Sequence, residues 1–242
     1  GFVLALANAL KTTPSIGAYE SGIDTAGPTI TYTAFGNTIS TANRTLSVSV
    51  TDVSGVPTSG IGLPVIYYRK GNIGIFSTTQ CSFVSGSNYN CLINYATVTG
   101  GSVSPGETIQ YYVVAQDTIG NVSAKPSAGA GGFGSNPPSA AIPPTTPNSY
   151  LISIPYTGSY NVGTGETVTS LTNAGGIFEL LNAGVLTGNV TINITSDLTG
   201  ETGTVALNQK AEEPPGSNFT ITIKPSGAAR SITGTGTNSN VI

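Results

Sequence analysis

Few residues of this chain could carry out acid–base chemistry or bind a metal. The 242 residues include no histidine, 8 basic residues and 11 acidic residues. Without histidine, the chain cannot use an imidazole as a base, as the partner that orients a nucleophile, or as a zinc ligand. The function must therefore be sought among a few carboxylates, tyrosines and cysteines.

The carboxylates do not form an obvious catalytic pair. Glu212 and Glu213 are adjacent, but neighbouring residues of a strand point to opposite faces, and Pro214 and Pro215 place this pair in a loop. The four aspartates are far apart in the sequence, at Asp24, Asp52, Asp117 and Asp197. We therefore expect no catalysis from this chain and assign no catalytic residue.

Calcium is the one cofactor that we weigh for the turns of this chain. Asp117 and Asn121 lie in one turn and Asp52 in another, and calcium prefers oxygen ligands of this kind. The turn of Asp117 supplies two side-chain oxygens, whereas calcium takes six to eight ligands. We favour the alternative, in which Asp117 and Asn121 bond the backbone of their own turn, and expect no cofactor.

Tyrosines occur as two neighbouring pairs, Tyr67 with Tyr68 and Tyr111 with Tyr112. On a strand, one member of each pair must point away from the other. An exposed tyrosine of this kind could stack on a sugar, and with Asp117 it would form a contact site for a polysaccharide or glycoprotein. The alternative, which we favour, is that the outward tyrosines pack beneath a loop or against a neighbouring module.

Two cysteines, Cys81 and Cys91, flank a stretch that reads as a hairpin around Gly86 and Asn88. If the protein is exported, a disulfide is favoured over two free thiols. We therefore expect a Cys81–Cys91 disulfide together with an extracellular or cell-surface location.

Charge and hydropathy exclude two classes of partner. Charged residues make up 8% of the chain, against roughly 25% in an ordinary domain, and the formal net charge is −3. This balance excludes an electrostatic nucleic-acid binder. No apolar run approaches the roughly 18 residues that span a bilayer, so we expect no membrane span.

Composition divides the chain into four zones. We interpret residues 1–24 as the remnant of a preceding module and residues 25–126 as an antiparallel β-sandwich. Residues 127–149 are rich in proline and glycine and are predicted to be a linker. Residues 150–242 are predicted to hold a short helix and alternating strands.

The sandwich prediction rests on strands of period two. Leu46, Val48 and Val50 alternate with hydroxyl residues, as a half-buried antiparallel strand requires. Further strands are predicted at residues 63–70, 80–84, 90–95 and 108–116, separated by turn-forming residues. About 100 residues with some seven short strands are typical of a sandwich.

The run from Ile109 to Asn121 resembles a phrase of bacterial immunoglobulin-like and fibronectin-III-like modules, in which an aromatic strand leads into an Asp-x-x-Gly-Asn turn. The resemblance implies an immunoglobulin-like fold over about 100 residues. The chain departs from antibody domains because it has no tryptophan and its cysteines are only ten residues apart. The inter-sheet disulfide of that family is therefore not carried over.

The last zone predicts a short helix, with Ile177, Leu180 and Leu181 at helical spacing and Gly184 as the stop. Alternating strands follow at residues 190–195 and 219–224. This arrangement resembles the capped start of a right-handed parallel β-helix of the pectin-lyase-like kind, as in large secreted multi-module surface proteins of Bacteroidota type. The phrase Ile16 to Glu20 resembles one that closes a preceding helix in such proteins. The resemblance implies that this zone is the start of a longer array.

Together these observations predict an all-β, non-catalytic spacer module of a secreted or cell-surface bacterial protein with a role in adhesion. Its expected partners are neighbouring modules of the same chain. The alternative is a carbohydrate-binding module that accompanies a β-helical polysaccharide-degrading enzyme. Solvent-facing tyrosines on one sheet would favour this alternative.

Overall fold

The computed structural model describes residues 24–235, and the protein is all-β over this range. Apart from Asp24, the predicted remnant at residues 1–24 lies outside the described residues. The last seven residues of the predicted zone 150–242 also lie outside them.

The first half of the described chain contains two antiparallel sheets. The first has the strand order β1-β2-β6-β5, and the second has the order β11-β7-β3-β4, with β8 also paired to β7. The strands of the first sheet are β1 (Thr29–Thr31), β2 (Arg44–Thr51), β5 (Ser82–Ser85) and β6 (Asn88–Ile93). Those of the second are β3 (Val65–Lys70), β4 (Ser77–Gln80), β7 (Thr108–Gln116), β8 (Val122–Lys125) and β11 (Asn148–Leu151).

The two sheets pack face to face and form a β-sandwich-like body. Alternate residues of β2, such as Leu46 and Val48, are buried against Tyr68 of β3 and Tyr111 of β7 in one apolar core. Hydroxyl side chains occupy the opposite face of β2, so the period-two pattern of the sequence sets which face of the sheet turns inward.

Three of the predicted strands closely match β3, β6 and β7, and β7 has the predicted bounds. The prediction of one strand over residues 80–84 differs from the structure. The chain leaves the second sheet after Gln80 and joins the first sheet at Ser82, so Cys81 stands at a change of sheet. A change of partner sheet leaves no mark in hydrophobic alternation, which reports only the two faces of a strand.

The segment predicted as a linker, residues 127–149, contains three short strands joined by turns. It contains β9 (Gly131–Gly134) and β10 (Ser139–Ile142), which form a hairpin, followed by β11, which pairs with β7. The hairpin lies over the outer face of the second sheet, where Ala140 packs with Tyr112 and Val114. Burial of that face accounts for the order of a segment whose composition favours a flexible chain.

The second half is built from parallel strands. These are β12 (Ile154–Val162), β13 (Gly184–Ile194), β14 (Leu198–Glu201), β15 (Ile221–Pro225) and β16 (Ile232–Gly234). The order is β12-β13-β15 in one sheet and β14-β16 in another. Tyr160, Ile192 and Ile223 are register partners in the first of these sheets and belong to one apolar cluster.

The predicted helix is confirmed as α1 (Ile177–Asn182), which precedes β13. Ile177, Phe178 and Leu181 are buried in the same apolar cluster as the parallel strands, while Leu180 is exposed. The helical spacing in the sequence thus identified the element and most of its buried face.

Only Ile152 and Ser153 separate β11 of the sandwich from β12 of the parallel sheet, and both are buried. The Ser153 amide donates to the Thr38 carbonyl at 2.7 Å, and the Gly106 amide donates to the Ile152 carbonyl at 2.6 Å. The Ile152 amide donates to the Glu107 carbonyl at 2.8 Å. We call residues 152 and 153, with their partners Thr38, Gly106 and Glu107, the joint.

Within residues 24–235, no helix has the length and apolar character needed to cross a membrane.

Candidate functional site: a carboxylate cluster at one end of the sandwich

Three aspartates that are distant in sequence meet at one end of the sandwich. Asp52 directly follows β2 and Asp117 directly follows β7, so the two sheets bring their ends together there. Asp24, the first described residue, joins them. One carboxylate oxygen of each aspartate lies within 4.8 Å of those of the other two. We call these three residues the carboxylate cluster.

Hydrogen bonds from the adjoining turns orient the Asp117 carboxylate. It accepts bonds from the amides of Ile119 and Asn121 and from the side-chain amide of Asn121, at 3.0, 2.8 and 2.7 Å respectively. The side chain of Asn121 also donates to the Asp24 carbonyl at 3.0 Å. Asp117 is fully buried, so these bonds satisfy a charge that water cannot reach.

Asp24 and Asp52 are linked through Ser54. The Ser54 hydroxyl donates to Asp24 at 2.6 Å, and the Ser54 amide donates to Asp52 at 2.7 Å. The Ser54 hydroxyl and the Ala26 amide hold the pKa of Asp24 below its usual range. Burial and the nearby charges of Asp24 and Asp117 raise the pKa of Asp52, in opposition to the Ser54 amide. Of these two carboxyl groups, Asp52 is therefore the one that binds a proton more readily.

The carboxylate cluster concentrates negative charge that a bound cation would neutralise. Among the described residues, no ion pair reaches Asp24, Asp52 or Asp117. Carboxylate oxygens at this spacing are ligands of the kind that calcium prefers, but three of them supply about half of the six to eight ligands that it takes.

Sequence analysis found part of this cluster. It singled out Asp117, Asn121 and Asp52, and the structure places all three at the same end of the sandwich. The expected alternative, in which Asp117 and Asn121 bond their own turn, agrees with the observed hydrogen bonds. Asp24 was missed because it had been assigned to a preceding module. The usable signal was that Asp52 and Asp117 each open an Asp-x-x-Gly turn directly after a strand.

The predicted tyrosine contact site is not assembled on the surface. Tyr68 and Tyr111 lie in the core between the two sheets, and Tyr112 is buried under the hairpin of β9 and β10. These three tyrosines therefore present no ring face to solvent. The structure agrees with the alternative that the outward tyrosine packs beneath a covering segment.

Tyr67 is the exception among the four tyrosines because it is only partly buried. One face of its ring stacks on Tyr112, with the ring centroids 4.8 Å apart, and its hydroxyl donates to the Pro138 carbonyl at 3.3 Å. It also lines a shallow groove of about 270 Å³ with Ile61, Val65 and Pro137 among its walls. Asp117, at the buried end of β7, does not line this groove.

The disulfide between Cys81 and Cys91 is confirmed. Both residues are buried, and the bond ties the change of sheet at Cys81 to β6. Of the neighbouring acidic residues, Glu212 forms an isolated parallel bridge with Leu186 of β13, and Glu213 lies in the bend that follows. The Glu212 carboxylate accepts bonds from the amides of Asn218 and Phe219, which is an ordinary structural role.

No protein-family model matches the chain, and no curated protein matches it significantly.

Proposed function

We propose that this chain is a non-catalytic structural module of a secreted or cell-surface protein with a role in adhesion. In this proposal an immunoglobulin-like sandwich is joined to parallel β-helical strands and works as a spacer that holds neighbouring modules at a fixed separation.

The joint is the observation that carries this proposal. A spacer keeps its neighbours at a fixed separation only if its own parts do not rotate freely about each other. A linker rich in glycine or proline would not prevent such rotation. Here the two connecting residues, Ile152 and Ser153, are buried, and three backbone hydrogen bonds hold them to loops of the sandwich. Ile152 also belongs to the sandwich core. The joint thus supports a body with little freedom between its two halves.

The topology supports the two fold families that the sequence resembles. Two packed antiparallel sheets with the orders β1-β2-β6-β5 and β11-β7-β3-β4 are compatible with an immunoglobulin-like arrangement. Parallel pairing of β12 with β13 and of β13 with β15, with apolar residues stacked in register, is compatible with successive turns of a β-helix.

The disulfide and the surface composition support an extracellular location. Disulfides persist in oxidising compartments. A surface dominated by Ser, Thr, Asn and Gly suits a module that presents others rather than one that recruits a charged partner. The burial of Tyr68, Tyr111 and Tyr112 removes the main support for the carbohydrate-binding alternative.

A glycan array probed with the full 242-residue chain, in calcium and in chelator, separates the spacer from the binder. A spacer gives a flat array from protein whose circular dichroism shows a cooperatively folded β-structure. Tyr67→Ala is the informative variant because Tyr67 is the partly exposed member of the four tyrosines. Reproducible binding by the wild-type chain that Tyr67→Ala abolishes would overturn the spacer proposal in favour of an adhesive module.

A further inference from the structure

Glu201, the last residue of β14, is a buried carboxylate that no part of the proposed spacer function uses. Its side chain lies among Ser170, Leu171 and Thr172, which precede α1, and only 2% of Glu201 is exposed. A buried charge requires compensation, and here it comes from neutral hydrogen-bond donors.

Four donors converge on this carboxylate. Oε2 accepts the Ser170 hydroxyl at 2.9 Å, the Thr172 amide at 2.7 Å and the Thr172 hydroxyl at 2.6 Å. Oε1 accepts the Leu171 amide at 3.1 Å. Both oxygens are therefore engaged, and each faces only donors.

Two of the four donors are backbone amides, Leu171 on Oε1 and Thr172 on Oε2, and an amide N–H can only donate. The two hydroxyls are tied in place as well, because the Asn173 amide donates to the Ser170 hydroxyl oxygen at 2.9 Å and the Gly203 amide donates to the Thr172 hydroxyl oxygen at 3.0 Å. An ionised carboxylate accepts all four bonds, whereas a protonated acid or an amide loses the charge that strengthens them and places a hydrogen beside an amide that cannot accept it.

This donor set is connected directly to α1. The Ile177 amide donates to the Ser170 carbonyl at 3.0 Å, and the Phe178 amide donates to the Leu171 carbonyl at 3.1 Å. The first turn of the helix is thus bonded to the residues that Glu201 holds. Ile177 and Phe178 are themselves buried in the core of the parallel strands.

We propose that Glu201 is an acid-sensitive latch, in which protonation of the carboxylate releases residues 170–172 and with them α1 from the parallel strands.

Within residues 24–235, the segments bonded to Glu201 and its donors bring no second ionisable group to compensate for the change. The segments packed against Glu201, which are residues 170–173, residues 202–205 and β16, carry no charged or titratable side chain. Glu179 of α1 is exposed and accepts the Gly175 amide instead. Release therefore depends on the protonation of one carboxyl group.

The sign of the effect follows from the hydrogen bonds. Burial raises the pKa of Glu201, but the bonds from Thr172, Ser170 and Leu171 outweigh burial and hold the pKa below its usual range. A carboxyl group with a lowered pKa in the folded state contributes stability above its unfolded pKa and loses that contribution as the pH falls through the folded value. The latch is therefore closed at neutral pH and opens as the pH falls below the range in which an ordinary glutamate titrates.

Hydrogen exchange of the full chain between pH 7 and pH 3 tests the latch. The quantity compared is the protection factor, which removes the intrinsic effect of pH on exchange. We expect protection of the Ile177 and Phe178 amides to fall about tenfold or more in acid, the size expected when a charge-assisted bonding set is lost. Amides in the middle of β7, at Tyr111 and Val113, should keep their protection over the same range, because these residues lie in an apolar core cluster that contains no carboxylate.

Glu201→Gln should lower the protection of α1 already at pH 7 and remove its dependence on pH. Glu166→Gln is the matched control, since it makes the same charge change at a partly exposed site and should behave like the wild type.

Protection of α1 that stays constant in acid, or a Glu201→Gln variant with wild-type protection, overturns the proposal. Simultaneous loss in α1 and β7 also overturns it, because that result is global unfolding. If Glu201→Gln does not fold, the wild-type pH profile alone decides between these outcomes.

Discussion

At the scale of single residues, the buried carboxylates of the described chain are compensated by hydrogen bonds rather than by cations. Asp117 and Glu201 are both buried, and each is satisfied by amides and hydroxyls of neighbouring turns. The carboxylate cluster goes further, because it brings three negative groups within 4.8 Å of one another. Like charges at this separation repel, so the cluster is a local cost in stability when no cation is bound.

Asp52→Asn should therefore stabilise the chain at neutral pH by up to about 1 kcal/mol. The asparagine oxygen can still accept the Ser54 amide, so the change removes charge and keeps the turn. The measurement is thermal unfolding in chelator, so that no cation screens the three charges. Asp197→Asn is the control, because Asp197 lies outside the cluster and bonds the Ser231 amide. A clear loss of stability in Asp52→Asn alone would show that repulsion is not the dominant effect.

Because its buried tyrosines are hard to ionise, the protein should stay folded in mild alkali and unfold at higher pH. Burial raises the pKa of Tyr32, Tyr112 and Tyr150 above the ordinary tyrosine value. A raised folded pKa means that the stabilising contribution is complete below about pH 10 and is lost as the pH rises towards the folded value. Absorbance at 295 nm should show these tyrosines ionising together with unfolding. Full titration near pH 10 in a chain that stays folded would contradict their burial.

At the scale of elements, the strongest sequence patterns were the most reliable. The alternation in β2 and the aromatic run of β7 predicted these strands because each has a buried face that the sequence marks directly. The pattern could not reveal that the chain changes sheets at Cys81, nor that β9, composed of Gly131–Gly134, is ordered. That strand owes its conformation to the Tyr112 and Val114 surface that its hairpin covers, which is a tertiary effect.

The disulfide should stabilise the corner between β4 and β5. Reduction of the Cys81–Cys91 bond should lower the free energy of unfolding by about 2–3 kcal/mol, because the bond closes a loop of about ten residues in the unfolded chain. Denaturant unfolding of the oxidised protein and of the Cys81→Ala/Cys91→Ala double variant measures this difference. Equal midpoints for the two forms would show that packing alone holds the corner.

At the scale of the whole molecule, the sequence predicted two β-rich regions but placed a flexible linker between them. The structure instead runs from β11 into β12 through two buried residues. The burial of Ile152 in the sandwich core and the bonds of Ser153 and Gly106 depend on loops that are more than 40 residues apart in sequence. No local sequence pattern reports contacts between such distant residues. The proline and glycine content of the preceding segment is visible in the sequence and led to the linker prediction. The rigid-spacer account depends on this joint.

Pulsed electron paramagnetic resonance on spin-labelled Ser47→Cys/Thr222→Cys protein measures the distance across the joint most directly. Both positions are exposed, one on β2 and the other on β15. The control is the Ser47→Cys/Thr78→Cys pair, which lies within the sandwich. It gives the width of the distance distribution that the motion of the labels alone produces. The account predicts one narrow distance distribution for the first pair, as narrow as that of the control pair. A broad or divided distribution across the joint, beside a narrow control, would contradict it.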